Sequence, residues 1–174
     1  MAGISSVSLT GSFVKLSTLK RRFFAVAGRQ LAAKITTNLA AEAVTQVNLG
    51  FRASRDPYGT PWERTEWSSP NPLRDSGRLQ RSFHSRVTGE GFVVATDVIY
   101  AAIQHFGGTI VPKAAKMLSW TSRAIPGRHF AKSVTLRARP MLPVESRGWG
   151  LWEAPMRALI KGMVRRQFMK NNTP

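Results

Sequence analysis

From Ser17 to Leu49 apolar residues recur at every fourth position: Phe23, Ala27, Leu31, Ile35, Leu39, Ala43 and Val47. That spacing puts them on one face of an α-helix. Alanine is frequent and proline absent, and both favour helix. Ser17 suits the N-cap and Gly50 the C-terminal stop. The other face carries Arg21, Arg29, Lys34 and Gln46. The pattern predicts one unbroken amphipathic helix packed on a sheet. An Ala-rich stripe argues against a helix lying on a membrane surface.

The periodicity stops at residue 51, and 51–77 reads as a long loop. Asp56-Pro57-Tyr58-Gly59 has the residues that a type I turn prefers. Trp62 and Trp67 suit anchors against the core or a neighbouring subunit. Alternation then predicts a β-hairpin. Phe83, Ser85 and Val87 face one way, and Ser82, His84 and Arg86 the other; Gly89-Glu90-Gly91 turns and 92–96 returns. Asp75 to Leu79 reads as a short helical turn before it. Val98 to Phe106 predicts a short helix ended by Gly107-Gly108. Residues 109–112, 117–120 and 133–137 read as extended, and 123–129 as a basic connection. A last helix is expected from about Arg147 to Met169, its apolar face formed by Trp152, Met156, Leu159, Ile160, Met163 and Phe168. Pro155 falls in its first turns, where proline is tolerated.

These elements add up to an α+β fold: a long N-terminal helix packed on a small, mainly antiparallel β-sheet, with a C-terminal helix. Residues 1–17 read as an arm, 18–145 as the domain, and 146–174 as a basic C-terminal helix and tail.

Composition narrows the chemistry. The chain has 174 residues, enough for one domain with a real core. It contains no cysteine, which removes disulfides, Cys-ligated zinc and thiol nucleophiles. His84, His105 and His129 form no metal-binding spacing. No spacing pairs the nine acids for hydrolysis, although Glu63, Glu66 and Asp75 lie near one another in sequence. No phosphate loop or nucleophile elbow is present. Neither a catalytic site, a cofactor nor a metal is therefore expected. No apolar run approaches the roughly 18 residues of a membrane span. The first residues lack the pattern of a secretory signal. Residues 1–41 have the acid-free composition of a mitochondrial presequence, but the unbroken helix expected there argues against one.

Charge does change the picture. With 26 Lys+Arg against 9 Asp+Glu, the formal charge is +17. Lys20, Arg21 and Arg22 open the first helix. Arg157, Lys161, Arg165, Arg166 and Lys170 lie on the last one, where Arg157, Lys161 and Arg165 fall four apart. Such stripes are commonly solvated faces; as contacts, they would meet phosphate or an acidic partner. The middle of the chain reads as closer to balance.

Four blocks carry a resemblance. They are Asp56 to Trp62 (with Asp56, Pro57, Tyr58, Gly59 and Trp62), Pro72 to Leu79 (with Gly77, Arg78 and Leu79), Tyr100 to Ile110 (with Gly107 and Gly108), and Ala138 to Pro143 (with Arg139 and Pro140). In this order, over about residues 50–145, they resemble the Mu-like virion morphogenesis (tail completion) family of tailed phages. The resemblance implies a non-enzymatic subunit at the head–tail junction. It implies a ring, often a hexamer, whose partners are copies of itself, the tail tube and head-connector or closure proteins, with genomic DNA in the channel and no membrane. It also implies assembly in the host bacterial cytoplasm. The motif residues then have scaffolding roles. The other reading, from charge alone, is a non-specific nucleic-acid-binding protein acting through its basic terminal helices.

Overall fold

The computed structural model of the chain describes residues 14–64, 71–122 and 125–171, and the side chains among them from 28 to 170. The fold is α+β. Its order is α1 (Val14–Ala53), α2 (Arg78–Arg81), β1 (Phe83–Val87), β2 (Phe92–Thr96), α3 (Ala101–Phe106), β3 (Gly108–Ile110), β4 (Leu118–Thr121), β5 (Arg128–Ala131), β6 (Val134–Leu136) and α4 (Glu153–Asn171). The strands form three two-stranded sheets, β1 with β2, β3 with β6, and β4 with β5. Of the arm expected at 1–17, residues 1–13 lie outside the described residues, as do Glu66 and Trp67, and 14–17 belong to α1.

α1 departs from expectation at both ends and in the middle. It starts at Val14, so Ser17 is inside the helix and is not its cap. It breaks at Gly28, whose φ of +73° and ψ of 156° are non-helical. Only glycine takes such angles without strain. The unbroken helix expected from the stripe is therefore two helical runs. The C-terminal stop falls beyond Gly50. Ser54 adopts φ +50°, its N–H reaches the Phe51 carbonyl at 3.3 Å, and the Arg55 N–H reaches the Gly50 carbonyl at 3.1 Å. This is a Schellman ending with serine in the place glycine usually takes. Gly50 is an acceptor in it, and not the stop itself.

The chain forms two compact units. One contains α1 up to Gln46, His84–Ala95 and the chain from Pro143 onward. Its buried side chains include Leu31, Ala32, Ile35, Leu39, Ala40 and Ala43 from α1, Phe92 and Val94 from β2, and Trp152, Met156 and Met163. The fourfold spacing thus marks a core face. The Asn38 side-chain N–H donates to the Met163 sulfur at 3.1 Å, tying α1 to α4 within this unit. α4 starts at Glu153, after two 3₁₀ turns at Glu145–Arg147 and Gly150–Trp152. Phe168, expected on its apolar face, is exposed. Along β1, Phe83 is buried and Ser85 half-buried, but Val87 is exposed, so that face is only partly covered. Thr88 and Gly91 exchange backbone hydrogen bonds at the hairpin turn.

The other unit contains Val47–Phe83 and Thr96–Leu142. Phe51 is its fully buried centre, 5.3 Å from the Trp62 ring at 75° and 5.9 Å from the Phe83 ring. Edge-to-face geometry of this kind suits the quadrupoles of two aromatic rings. The basic connection expected at 123–129 instead contains the start of a strand, since Arg128 and His129 belong to β5.

Replacing Ser54 with glycine is expected to raise stability by about 0.5–1 kcal/mol, because it relieves the left-handed serine. Urea unfolding measures this; a loss of stability would contradict the assigned helix ending.

Candidate functional site

The second unit contains the four sequence blocks, and the first, third and fourth meet at one buried guanidinium. The first block is shaped by Asp56, itself buried. Its Oδ1 accepts the Tyr58 and Thr60 N–H groups, each at 2.8 Å. The Gly59 N–H returns to the Asp56 carbonyl at 3.1 Å, the bond expected of the Asp-Pro-Tyr-Gly turn. The Trp62 N–H closes the loop on the Ser54 carbonyl at 2.8 Å. That delivers Trp62 to the core, where its Nε1–H donates to the Pro140 carbonyl at 3.1 Å. Of the two readings for Trp62, the structure selects the core anchor.

In the second block, Gly77 has φ +71° and precedes α2. Arg81 reaches back to the Ser76 carbonyl at 2.9 Å, and Leu79 is buried. Arg78 is exposed and starts the helix.

The third and fourth blocks meet at Gly107. A Cβ there would stand 2.7 Å from the Ala138 nitrogen and 2.9 Å from the Leu136 oxygen, at φ +73°. Glycine is thus required twice, by torsion and by close backbone approach. Gly108 also has positive φ, at +145°. The approach lets the Arg139 N–H donate to the Gln104 carbonyl at 2.8 Å. Tyr100, of the same block, is exposed at the start of α3.

Arg139 is buried to about one-twentieth exposure. Its Nε–H and Nη2–H donate to the Glu63 carbonyl at 3.2 and 3.0 Å. Gln104 Oε1 stands 3.5 Å from Nη1, at the limit of a hydrogen bond. Burial pushes the guanidinium below its ordinary pKa, and the Glu63 charge opposes that shift. The Glu63 carboxylate also pairs with the exposed Arg137. One glutamate therefore holds two arginines, one through its side chain and the other through its carbonyl.

His105 lies beside this clasp. It is buried, its Nδ1 accepts the Met141 N–H at 3.1 Å, and its Nε2 has no partner. An accepting Nδ1 requires a neutral ring with the proton on Nε2. Burial lowers its pKa from 6.5 to about 4. Glu63, Gln104 and His105 were not readable as a set, because their roles depend on carbonyls brought together from distant blocks. Gln104 and His105 do lie inside the third block.

The basic residues behave differently. The side chains of Lys20, Arg21 and Arg22 lie outside the described residues. Arg157, Lys161, Arg165, Arg166 and Lys170 are all exposed on α4. Arg157 pairs with Glu153 one turn earlier, which removes it from a free cationic stripe. An exposed pair of this type contributes little stability. Among the described residues, no three His, Cys, Asp or Glu side chains come together to hold a metal. No helix there is long and apolar enough to cross a membrane.

A model of the phage virion morphogenesis family matches residues 14–160. The match begins where α1 begins and ends within α4, so it takes in more than the four blocks. No curated protein and no solved structure matches the chain.

Two outcomes follow from the clasp. Arg139→Lys removes the forked donation to Glu63 and is expected to cost about 2–3 kcal/mol in urea unfolding; an unchanged midpoint would contradict it. His105 takes up its proton more readily when unfolded, so the unfolded chain binds more protons between pH 6.5 and about 4. Stability should be full above pH 6.5 and fall by about 3 kcal/mol as pH drops to 4. His105→Asn should flatten that part of the pH–stability curve. An equally steep fall in the variant would show that other groups carry it.

Proposed function

Because the chain belongs to the phage virion morphogenesis family, and so has a structural or assembly role in a phage virion, we propose that it is a non-enzymatic subunit of the head–tail junction. In this reading it forms a ring, as a hexamer, that completes or terminates the tail and receives the head connector. It assembles in the host bacterial cytoplasm, with tail-tube and head-closure proteins as partners.

The observation that supports a scaffold most directly is where the family-like residues spend their polar groups. Asp56 is used on two backbone amides, Trp62 on the Pro140 carbonyl, Arg139 on the Glu63 carbonyl and His105 on the Met141 amide. Gly107 is used to bring two chain segments together. These groups build one rigid unit and are turned inward. A structural subunit needs a fixed body that presents strands and helices to neighbours, and the inward clasp supplies it. The exposed Phe130 and Phe168 are apolar surface that a neighbour could cover.

A conditional-lethal mutation in the gene tests the reading. Under restrictive conditions, filled heads and tails should accumulate unjoined, and purified protein should restore joining in the lysate. Normal numbers of joined particles without the protein, or its absence from purified virions, would overturn it.

A further inference from the structure

The segment from Val98 to Val144 holds seven bases, Lys113, Lys116, Arg123, Arg128, Lys132, Arg137 and Arg139, and no acid. The middle of the chain is thus not uniformly near balance: its acids fall at 56–97 and 145–153, on either side of this stretch.

The fold turns most of that stretch into an exposed β-ribbon. β3 pairs with β6 antiparallel, with Gly108 opposite Leu136 and Ile110 opposite Val134. β4 pairs with β5 antiparallel, with Leu118 opposite Ala131 and Thr121 opposite Arg128. Between the two ladders the outgoing strand spends seven residues, 111–117, where the returning strand spends two, 132–133. The outgoing excess carries Lys113 and Lys116. None of the described residues from Gly108 to Leu136 is buried.

Alternation sorts the outer ladder into two faces. Leu118, Trp120, His129 and Ala131 are half-buried, and the rings of Trp120 and His129 lie 5.8 Å apart. Ser119, Thr121, Arg128 and Phe130 form the exposed face, with exposed Lys132 just beyond. Lys113, Lys116, Arg128 and Lys132 have no carboxylate partner among the described residues.

We infer that this ribbon, formed by the paired strands β3, β4, β5 and β6 with the segments 111–117 and 132–133 between the two ladders, is a docking surface for the phosphate backbone of duplex DNA. Four unpaired cations and two exposed hydroxyls are all groups that bind phosphate oxygens. The lone aromatic on the face, Phe130, stands between Arg128 and Lys132, about 7 Å from each along the strand. A second copy seated ribbon against ribbon is a poor occupant, because it would bring the same acid-free strands. An acidic protein fits the charge, but a specific protein interface needs an apolar centre. The exposed face of the outer ladder offers one apolar side chain among hydroxyls and a guanidinium; the ribbon's other exposed large apolar residues, Val111 and Met117, lie outside that ladder, on the outgoing excess. Backbone contacts of this kind do not depend on base sequence. The inference places the DNA contact on the ribbon and not on the basic terminal helices, and it does not rest on the head–tail reading.

The test uses the full chain and a fluorescein-labelled 30-base-pair duplex, titrated by anisotropy between 50 and 200 mM NaCl. The quadruple variant Lys113→Gln, Lys116→Gln, Arg128→Gln, Lys132→Gln should bind with a log K against log salt slope shallower by about 3.6, or about 0.9 per lost phosphate contact. A duplex of scrambled sequence should bind the wild type equally. The matching α4 variant, Arg157→Gln, Lys161→Gln, Arg165→Gln, Arg166→Gln, should keep the wild-type slope. An unchanged melting temperature checks that the ribbon variant is folded. Undetectable wild-type binding at 50 mM NaCl, or a slope lost in the α4 variant and kept in the ribbon variant, would overturn the inference. So would a ribbon variant that keeps the slope yet fails to join heads to tails, since that result would assign the ribbon to an acidic protein.

Discussion

The second unit depends on one buried cation held by one backbone carbonyl. Arg139 carries its charge into a site where burial disfavours it, and the Glu63 carbonyl accepts two of its N–H groups. A carbonyl can take that role only if the loop bearing it is fixed. Asp56 and Trp62 fix the loop from one side, and the Gln104 carbonyl fixes the arginine backbone from the other. Gly107 makes the approach sterically possible. If any of these is removed, the guanidinium is left with unmet donors in an apolar setting, which costs far more than an exposed hydrogen bond gains.

This arrangement turns several of the residues that mark the family inward. Asp56 Oδ1 accepts two backbone amides, the Arg139 guanidinium donates to the Glu63 carbonyl, and His105 is neutral, with its one exchangeable proton facing no partner. The exposed cations of the β-ribbon and α4 lie on elements that take little part in the clasp.

Much of this was legible in the chain. The fourfold spacing located the buried face of α1 from Leu31 to Val47, because helix burial repeats with the turn. Asp56, Pro57 and Gly59 announced their turn, since each meets a local torsional or hydrogen-bonding need. β2 was read at its observed limits as the return strand of the hairpin whose first strand alternates. The break at Gly28 was hidden because the apolar spacing runs straight through it. The β5 strand was hidden because arginine, histidine and a nearby Pro-Gly pair read as loop, and only pairing with Leu118–Thr121 makes it a strand. The clasp itself was legible as three of the four blocks but not as an object. Its key acceptor is the Glu63 carbonyl, a group that every residue possesses and no sequence pattern marks.

The claim that one clasp holds this unit together is tested most directly by native-state hydrogen exchange, read amide by amide. The amides of Thr60, Trp62, Arg139 and Met141 should exchange through one shared opening, with the same free energy as the most protected amides of that unit. In Arg139→Lys, all four should lose protection by the same amount. If Thr60 and Trp62 exchange by a low-energy local opening while Arg139 and Met141 stay protected, the loop and the arginine are independent, and the account is wrong.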